Sequence, residues 1–217
     1  MGHNAKDRAR SAPGRDGENA WHQPLILREW RPYAMLGIRT KLFQLRHQKR
    51  AERQHQATLR ALDESGKPAK QILFLCYGNI CRSPVAEKLA KKLLPGLKAG
   101  SAGFYPTEGR TSPESLKTAA RSLGADLSDW ASRRVTSEMV RQADLVVLMD
   151  LYNFRDFRRE FPAEESKAAF LGMFLDPPQL SITDPYDKPA EETLRILRQI
   201  EAGVAGLAQR LGSPSQT

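Results

Sequence analysis

Short apolar runs alternate with longer amphipathic stretches over the last two thirds of the chain. Ile72 to Leu75 and Leu145 to Met149 are uninterrupted apolar runs of strand length, Lys98 to Ala102 is a short strand candidate, and Ala168 to Phe174 is a fourth apolar segment. Between them the apolar residues recur at helical spacing from Pro84 to about Leu94, from about Pro113 to Leu123, in a charged stretch around Asn153 to Glu160, and from Pro189 to Leu211. Pro84, Pro113 and Pro189 each stand where a first helical turn begins, at a position whose N–H would have no partner. Strand and helix in alternation predict an α/β fold, a parallel sheet with helices on both faces in a doubly wound, Rossmann-like arrangement.

The first third of the chain is different. Residues 1–20 hold almost no large apolar side chain and read as disordered. A helical pattern runs from about Tyr33 to Asp63, carrying Met35, Leu36, Leu42, Phe43 and Leu45 and then basic residues from Arg46 to Arg50. Ser65-Gly66-Lys67-Pro68 breaks it and reads as a linker. The expected organisation is therefore a basic extension over 1–69, with an amphipathic helix near 34–63, and a globular domain over 70–217.

Charge supports that division. Residues 1–70 carry 15 Lys and Arg against 7 Asp and Glu, whereas residues 71–217 carry 19 against 18, so nearly all of the +9 net charge sits in the extension. The basic pI thus says little about the domain, and a nucleic-acid partner is not expected: the basic helix has few aromatic stacking residues and no recognition motif. Contact with a membrane surface or a protein through 34–63 remains open. No apolar run reaches the roughly 20 residues of a membrane-spanning helix, and the N-terminus lacks the apolar core of a secretory signal, so the expected setting is a reducing cytoplasm, with or without peripheral membrane contact. With two cysteines in 217 residues, no structural disulfide is expected.

Candidate chemistry lies where the first strand ends, in Cys76-Tyr77-Gly78-Asn79-Ile80-Cys81-Arg82-Ser83-Pro84. A cysteine and an arginine separated by five residues, between a strand and a helix, let the intervening N–H groups curl inward while the helix directs its positive end to the same point. Such a loop cradles a dianion. A thiol in that field ionises and becomes a nucleophile, which assigns this role to Cys76. Arg82 supplies a planar fork for two phosphoryl oxygens, and the Ser83 hydroxyl can stabilise the thiolate as a leaving group. Gly78 permits unusual dihedrals, and Asn79 can bond the backbone of a tight loop. Taken singly, Cys76 and Arg82 would be an inert buried thiol and a surface charge; their spacing favours the cradle. Far along the chain, Asp184 in Thr183-Asp184-Pro185-Tyr186 is a candidate proton donor, although on the residues alone Asp-Pro reads first as a turn before the last helix.

The stretch from about Gln71 to Leu211 resembles the low-molecular-weight protein-tyrosine phosphatases. The loop from Cys76 to Pro84 is similar to the family's phosphate loop at nearly every position, Asp184-Pro185-Tyr186 to its acid loop, and Ser101-Ala102-Gly103 to the segment after its second strand. The resemblance implies a four-stranded parallel sheet, hydrolysis of phosphotyrosine through a phosphocysteine on Cys76, Arg82 as transition-state binder, and Asp184 as general acid and later activator of water. It further implies Tyr77, Gly78, Asn79, Ile80, Cys81 and Ser83 as the substrate-binding loop, Tyr186, with Tyr105 as a weaker companion, as a wall for the aromatic ester, and Ser101 as a hydrogen-bond support of Asn79. No cofactor or metal is implied, and the expected partners are tyrosine-phosphorylated proteins. One departure is Trp130, where the family usually has a histidine that joins the asparagine network.

Cys81 is either a small loop-filling residue or, as the resemblance implies, a redox partner that forms a disulfide with Cys76 under oxidants. Arsenate reductases that share this scaffold need further cysteines downstream, and the sequence has none after Cys81. Phosphoarginine phosphatases of the same fold usually carry Thr where Ile80 stands, which favours phosphotyrosine here. A non-catalytic phosphate-binding module is the remaining alternative, and the complete set of Cys76, Arg82 and Asp184 argues against it.

Overall fold

The computed structural model describes residues 37–212. The expectations for residues 1–20 and for the start of the first helix, at 33–36, lie outside the described residues. Four strands, β1 (Gln71–Cys76), β2 (Lys98–Gly103), β3 (Leu145–Leu148) and β4 (Ala168–Phe170), form one sheet in the order β2-β1-β3-β4. All three pairings are parallel, with Ile72 opposite both Ala99 and Leu145 and Val146 opposite Ala168. The helices are α1 (Gly37–Glu64), α2 (Arg82–Leu93), α3 (Glu114–Ser122), α4 (Ser137–Gln142), α5 (Leu151–Glu160) and α6 (Ala190–Gly212).

Strand side chains alternate between faces. Ile72, Phe74 and Cys76 point into one core with Val85, Leu89, Leu116, Ile196 and Ile200 from α2, α3 and α6. Leu73 and Leu75 point into the other with Val140, Phe154 and Phe157 from α4 and α5. Both faces are covered, which is why β1 and β3 read as unbroken apolar runs rather than as alternating ones. The doubly wound parallel sheet expected from the sequence is the observed one.

Local differences have local causes. Helix α2 begins at Arg82, two residues before Pro84, because the first helical turn leaves its N–H groups unpaired wherever proline falls within it. Pro113 and Pro189 stand immediately outside α3 and α6. The apolar segment from Ala168 becomes a three-residue strand followed by a 3-10 turn over Leu171–Phe174. Helix α4 is six residues long, too short for a periodicity, and is marked instead by its cap: the Thr136 side chain accepts from Met139 N.

From Gln44 onward the chain forms one compact unit, so α1 from that point lies with the sheet. Ala51, His55 and Thr58 are buried, with the partly buried Leu62 continuing the stripe at helical spacing. This stripe crosses the free edge of β4. The Thr58 hydroxyl lies 2.8 Å from both the Ser166 and Ala168 carbonyl oxygens, and Phe170 N donates to His55 Nδ1 at 3.2 Å. The polar members of this stripe, His55 and Thr58, thus satisfy backbone groups of an edge strand. Arg50 with Glu165, and Arg210 with Asp63, pin the helix further along. Burial, followed by the neighbouring Arg210 charge, lowers the His55 pKa to about 4, in keeping with an imidazole nitrogen that must accept.

Candidate active site

The loop Cys76 to Arg82 sits at the C-terminal end of β1, ahead of the N-terminus of α2. Three successive carbonyls are drawn outward. Tyr77 O accepts from Tyr105 N at 2.9 Å, Gly78 O from Arg110 Nη2 at 2.5 Å, and Asn79 O from Trp130 Nε1 at 2.7 Å. In a trans peptide the N–H opposes the C=O, so the amides of Gly78, Asn79 and Ile80 turn inward. Asn79 N does donate to Cys76 Sγ, at 3.3 Å.

The left-handed residue of this loop is Asn79, at φ 52°, and not Gly78. An L residue there costs about 1–2 kcal/mol, which the contacts of Asn79 offset. Its Oδ1 accepts from Arg133 N at 2.8 Å, which fixes the orientation of the amide. Its Nδ2 then donates to Ser83 Oγ and to Ser101 Oγ, both at 2.9 Å. Ser101 in turn donates to the buried Glu87 carboxylate at 2.7 Å, and that carboxylate also pairs with Lys91 and Arg133. The chain has a direction: Ser101 spends its proton on Glu87, and Ser83 receives one from Asn79. Ser83 is thereby left to donate toward Cys76 Sγ, 3.1 Å away, the closer of its two acceptors, Ala102 O being at 3.4 Å. Gly103 is what lets the second strand end come this close, since a Cβ there would stand 2.6 Å from Tyr77 O and 2.8 Å from Asn79 N.

Arg82 is 2% exposed. Its Nη1 donates to Asp150 Oδ2 at 2.6 Å and to Ile182 O at 2.9 Å, and its Nη2 to Asp184 Oδ2 at 2.7 Å. Its Nε is buried with no protein partner. Burial works against the guanidinium charge, but the Asp184 and Asp150 carboxylates outweigh it and hold the pKa above that of a free arginine. Asp150 serves two elements at once, because its Oδ1 caps α5 by accepting from Asn153 N at 2.7 Å. Asp184 is the exposed member, its side chain 47% accessible.

The sequence-derived residues Cys76, Asn79, Arg82, Ser83, Ser101 and Asp184 come together. Ile80 and Cys81 are buried in the loop, and burial, ahead of the nearby Asp184 and Cys76, pushes the Cys81 thiol pKa well up. Tyr77 and Tyr186 are exposed, and Tyr77 packs edge-on against Tyr105 with centroids 5.7 Å apart, while Arg110 stacks 3.9 Å over the Tyr105 ring. Asp150, Glu87, Arg110 and Arg133 were not singled out from sequence. Asp150 follows an apolar strand and precedes a helix, which was a legible cap signal; the others carry none. A groove of about 280 Å³ lined by Leu59, Leu62, Pro68 and Leu211 shares no residue with this loop.

A buried cysteine at the mouth of a strand-to-helix loop on a doubly wound sheet, with a buried arginine beside it, fits the class of cysteine-dependent phosphatases. Residues 71–217 match the model of the low molecular weight phosphotyrosine protein phosphatases, and the chain belongs to that family. It is 33% identical over 140 residues to the low molecular weight protein-tyrosine-phosphatase Etp of Escherichia coli strain K12, covering 64% of this chain and 93% of Etp. It is 32% identical over 142 residues to the probable low molecular weight protein-tyrosine-phosphatase EpsP of Ralstonia nicotianae, covering 65% and 96%. Among solved structures, the tyrosine phosphatase Wzb of Escherichia coli K30 in complex with sulphate superposes with TM-score 0.63 at 33% identity, over 66% of this chain and 99% of that one. The YwlE arginine phosphatase of Geobacillus stearothermophilus superposes with TM-score 0.61 at 29% identity, over 65% and 92%.

Proposed function

We propose that this enzyme hydrolyses phosphotyrosine on protein substrates, with Cys76 as nucleophile, Arg82 as phosphoryl binder and Asp184 as general acid. The observation that carries the reading is Arg82, held at Nη1 by Asp150 and joined at Nη2 to Asp184, beside a loop whose Asn79 amide donates to Cys76 Sγ. An incoming phosphoryl group takes Nε and Nη2 of Arg82 as its fork and displaces the Asp184 carboxylate from Nη2. Asp184 is then released next to the ester oxygen and, parted from the guanidinium, takes up a proton from solvent, which makes it the acid of the first step.

In the first step the Cys76 thiolate attacks phosphorus, the P–O bond to the aryl group breaks, and Asp184 gives its proton to the departing oxygen. In the second, Asp184 takes a proton from water, the water oxygen attacks phosphorus, and the P–S bond breaks to return the thiolate and release phosphate. Ser83, donating to Cys76 Sγ, stabilises the sulfur as it leaves. Tyr186 and Tyr105 form the wall for the aryl ring. The catalytic domain in this reading is residues 70–217 with residues 1–69 as a basic extension. Contact of residues 34–63 with a membrane surface or another protein falls to the exposed face of α1, where Lys49, Arg53 and Arg60 stand. No helix among the described residues is long and apolar enough to cross a membrane.

The test is a leaving-group series. Asp184→Asn is expected to lower turnover of phosphotyrosyl peptide by about 10²–10⁴, the range for loss of a general acid, with a much smaller loss for aryl phosphates of low leaving-group pKa. Equal losses across the series would make Asp184 structural and direct the search to Asp187. The likeness to an arginine phosphatase makes phosphoarginine the necessary comparison substrate. The buried Ile80, in place of a hydroxyl-bearing residue, favours the aryl ester.

A further inference from the structure

Asn79 is held in its left-handed conformation by a segment on the far side of the site. Within Trp130 to Arg133, the indole Nε1 donates to the Asn79 carbonyl at 2.7 Å, and Arg133 N donates to its side-chain oxygen at 2.8 Å. We infer that Trp130 is a positioning residue for anion binding: by drawing the Asn79 carbonyl out of the loop, its N–H aims the Ile80 amide into the cradle. This inference rests on reading the loop as a phosphate site.

The neighbouring peptide shows the same relation completed within the structure. Gly78 O is drawn outward by Arg110, and the amide of that peptide, Asn79 N, points inward to Cys76 Sγ. Trp130 acts on the next peptide in the same way. The indole is itself restrained. It is half-buried and packed against the first core, its ring lies 5.8 Å from the Arg133 guanidinium carbon, and Arg133 is tied to Glu87. An indole N–H is a neutral donor that does not titrate, so its hold on the loop does not vary with pH. Losing it would leave the Asn79 carbonyl free to rotate and the Ile80 amide without a fixed direction, while the bulk of the ring would still fill its site.

The experiment replaces Trp130 with benzothienylalanine, an isostere with sulfur in place of the N–H, in the full chain, alongside Trp130→Phe. Inorganic phosphate is the probe, with its affinity read by titration calorimetry and as a competitive inhibition constant. The expected result for the isostere is phosphate binding weaker by about three- to tenfold, the span for one neutral hydrogen bond, in a protein that still unfolds cooperatively with a melting temperature lower by no more than a few degrees. Trp130→Phe should lose at least as much. Phosphate affinity equal to that of the unsubstituted protein overturns the inference, and so does a loss that appears only together with loss of cooperative unfolding. Because calorimetry reads phosphate binding without turnover, an enzyme that binds phosphate in the calorimeter but hydrolyses no phosphotyrosine would refute the proposed function and leave this inference standing.

Discussion

Helix α1 closes the β4 edge through an imidazole that must be neutral, and this makes the stability of the enzyme depend on pH through one residue. His55 is 2% exposed, accepts from Phe170 N, packs edge-on against Phe174 and feels the Arg210 charge. Burial, and after it the Arg210 charge, lowers its pKa from the usual 6.5 of a free imidazole to about 4. The sign follows from linkage: the folded pKa is depressed, so below pH 6.5 the unfolded chain binds more protons, and stability falls as pH drops from 6.5 toward 4. The full shift corresponds to about 3 kcal/mol, and at pH 5 the loss is about 2 kcal/mol, a large fraction of a marginal stability. The perturbation is His55→Asn, whose side-chain oxygen can accept from Phe170 N in place of Nδ1 but does not titrate. Urea unfolding of the full chain at pH 7 and pH 5 gives the comparison, and other titrating groups cancel in the difference between the two proteins. The unsubstituted protein should lose about 2 kcal/mol more than His55→Asn between these pH values. Parallel stability curves for the two would refute the argument, and with it the view of α1 as a fixed cover of the sheet edge.

Two further outcomes are expected. Asp150→Asn keeps a good helix cap for α5 but removes the charged partner of Arg82, so kcat/KM should fall by roughly tenfold with little change in stability, as for a lost charge-assisted bond; activity equal to the unsubstituted enzyme would exclude Asp150 from orienting Arg82. Peroxide should inactivate reversibly, because oxidised Cys76 can be resolved by the Cys81 thiol to a disulfide and water, protecting it from further oxidation; a Cys81→Ala variant that recovers under thiol reductant as fully as the unsubstituted enzyme would leave Cys81 as packing.

How much the sequence revealed depended on whether a residue acts through local or distant contacts. The sheet was legible because β1 and β3 are buried on both faces and so appear as plain apolar runs. The loop was legible because its chemistry lies within seven residues of one strand end. Asp184, over a hundred positions away, was recognisable from resemblance, since Asp-Pro alone reads first as a turn. Glu87 and Arg133 were not, because a glutamate on a helix and an arginine in a loop look solvent-exposed until the fold brings them to Ser101 and Asn79. Trp130 stood out as a departure that put the support of Asn79 in doubt, and the indole N–H proves to support its carbonyl. In α1 the sequence showed a basic helix, but His55 and Thr58 carry no apolar signal, and their burial comes from bonding a sheet edge that only the tertiary structure presents.

The central claim is that a phosphoryl group passes through the sulfur of Cys76. It is tested most directly by mixing the full-length enzyme with phosphotyrosyl peptide, quenching within a turnover and mapping the trapped phosphoryl group by mass spectrometry. The account predicts a phosphothioester on Cys76, absent in Cys76→Ser, which should bind phosphate without turning over substrate. A phosphoryl group on any other residue, or turnover retained by Cys76→Ser, would contradict it.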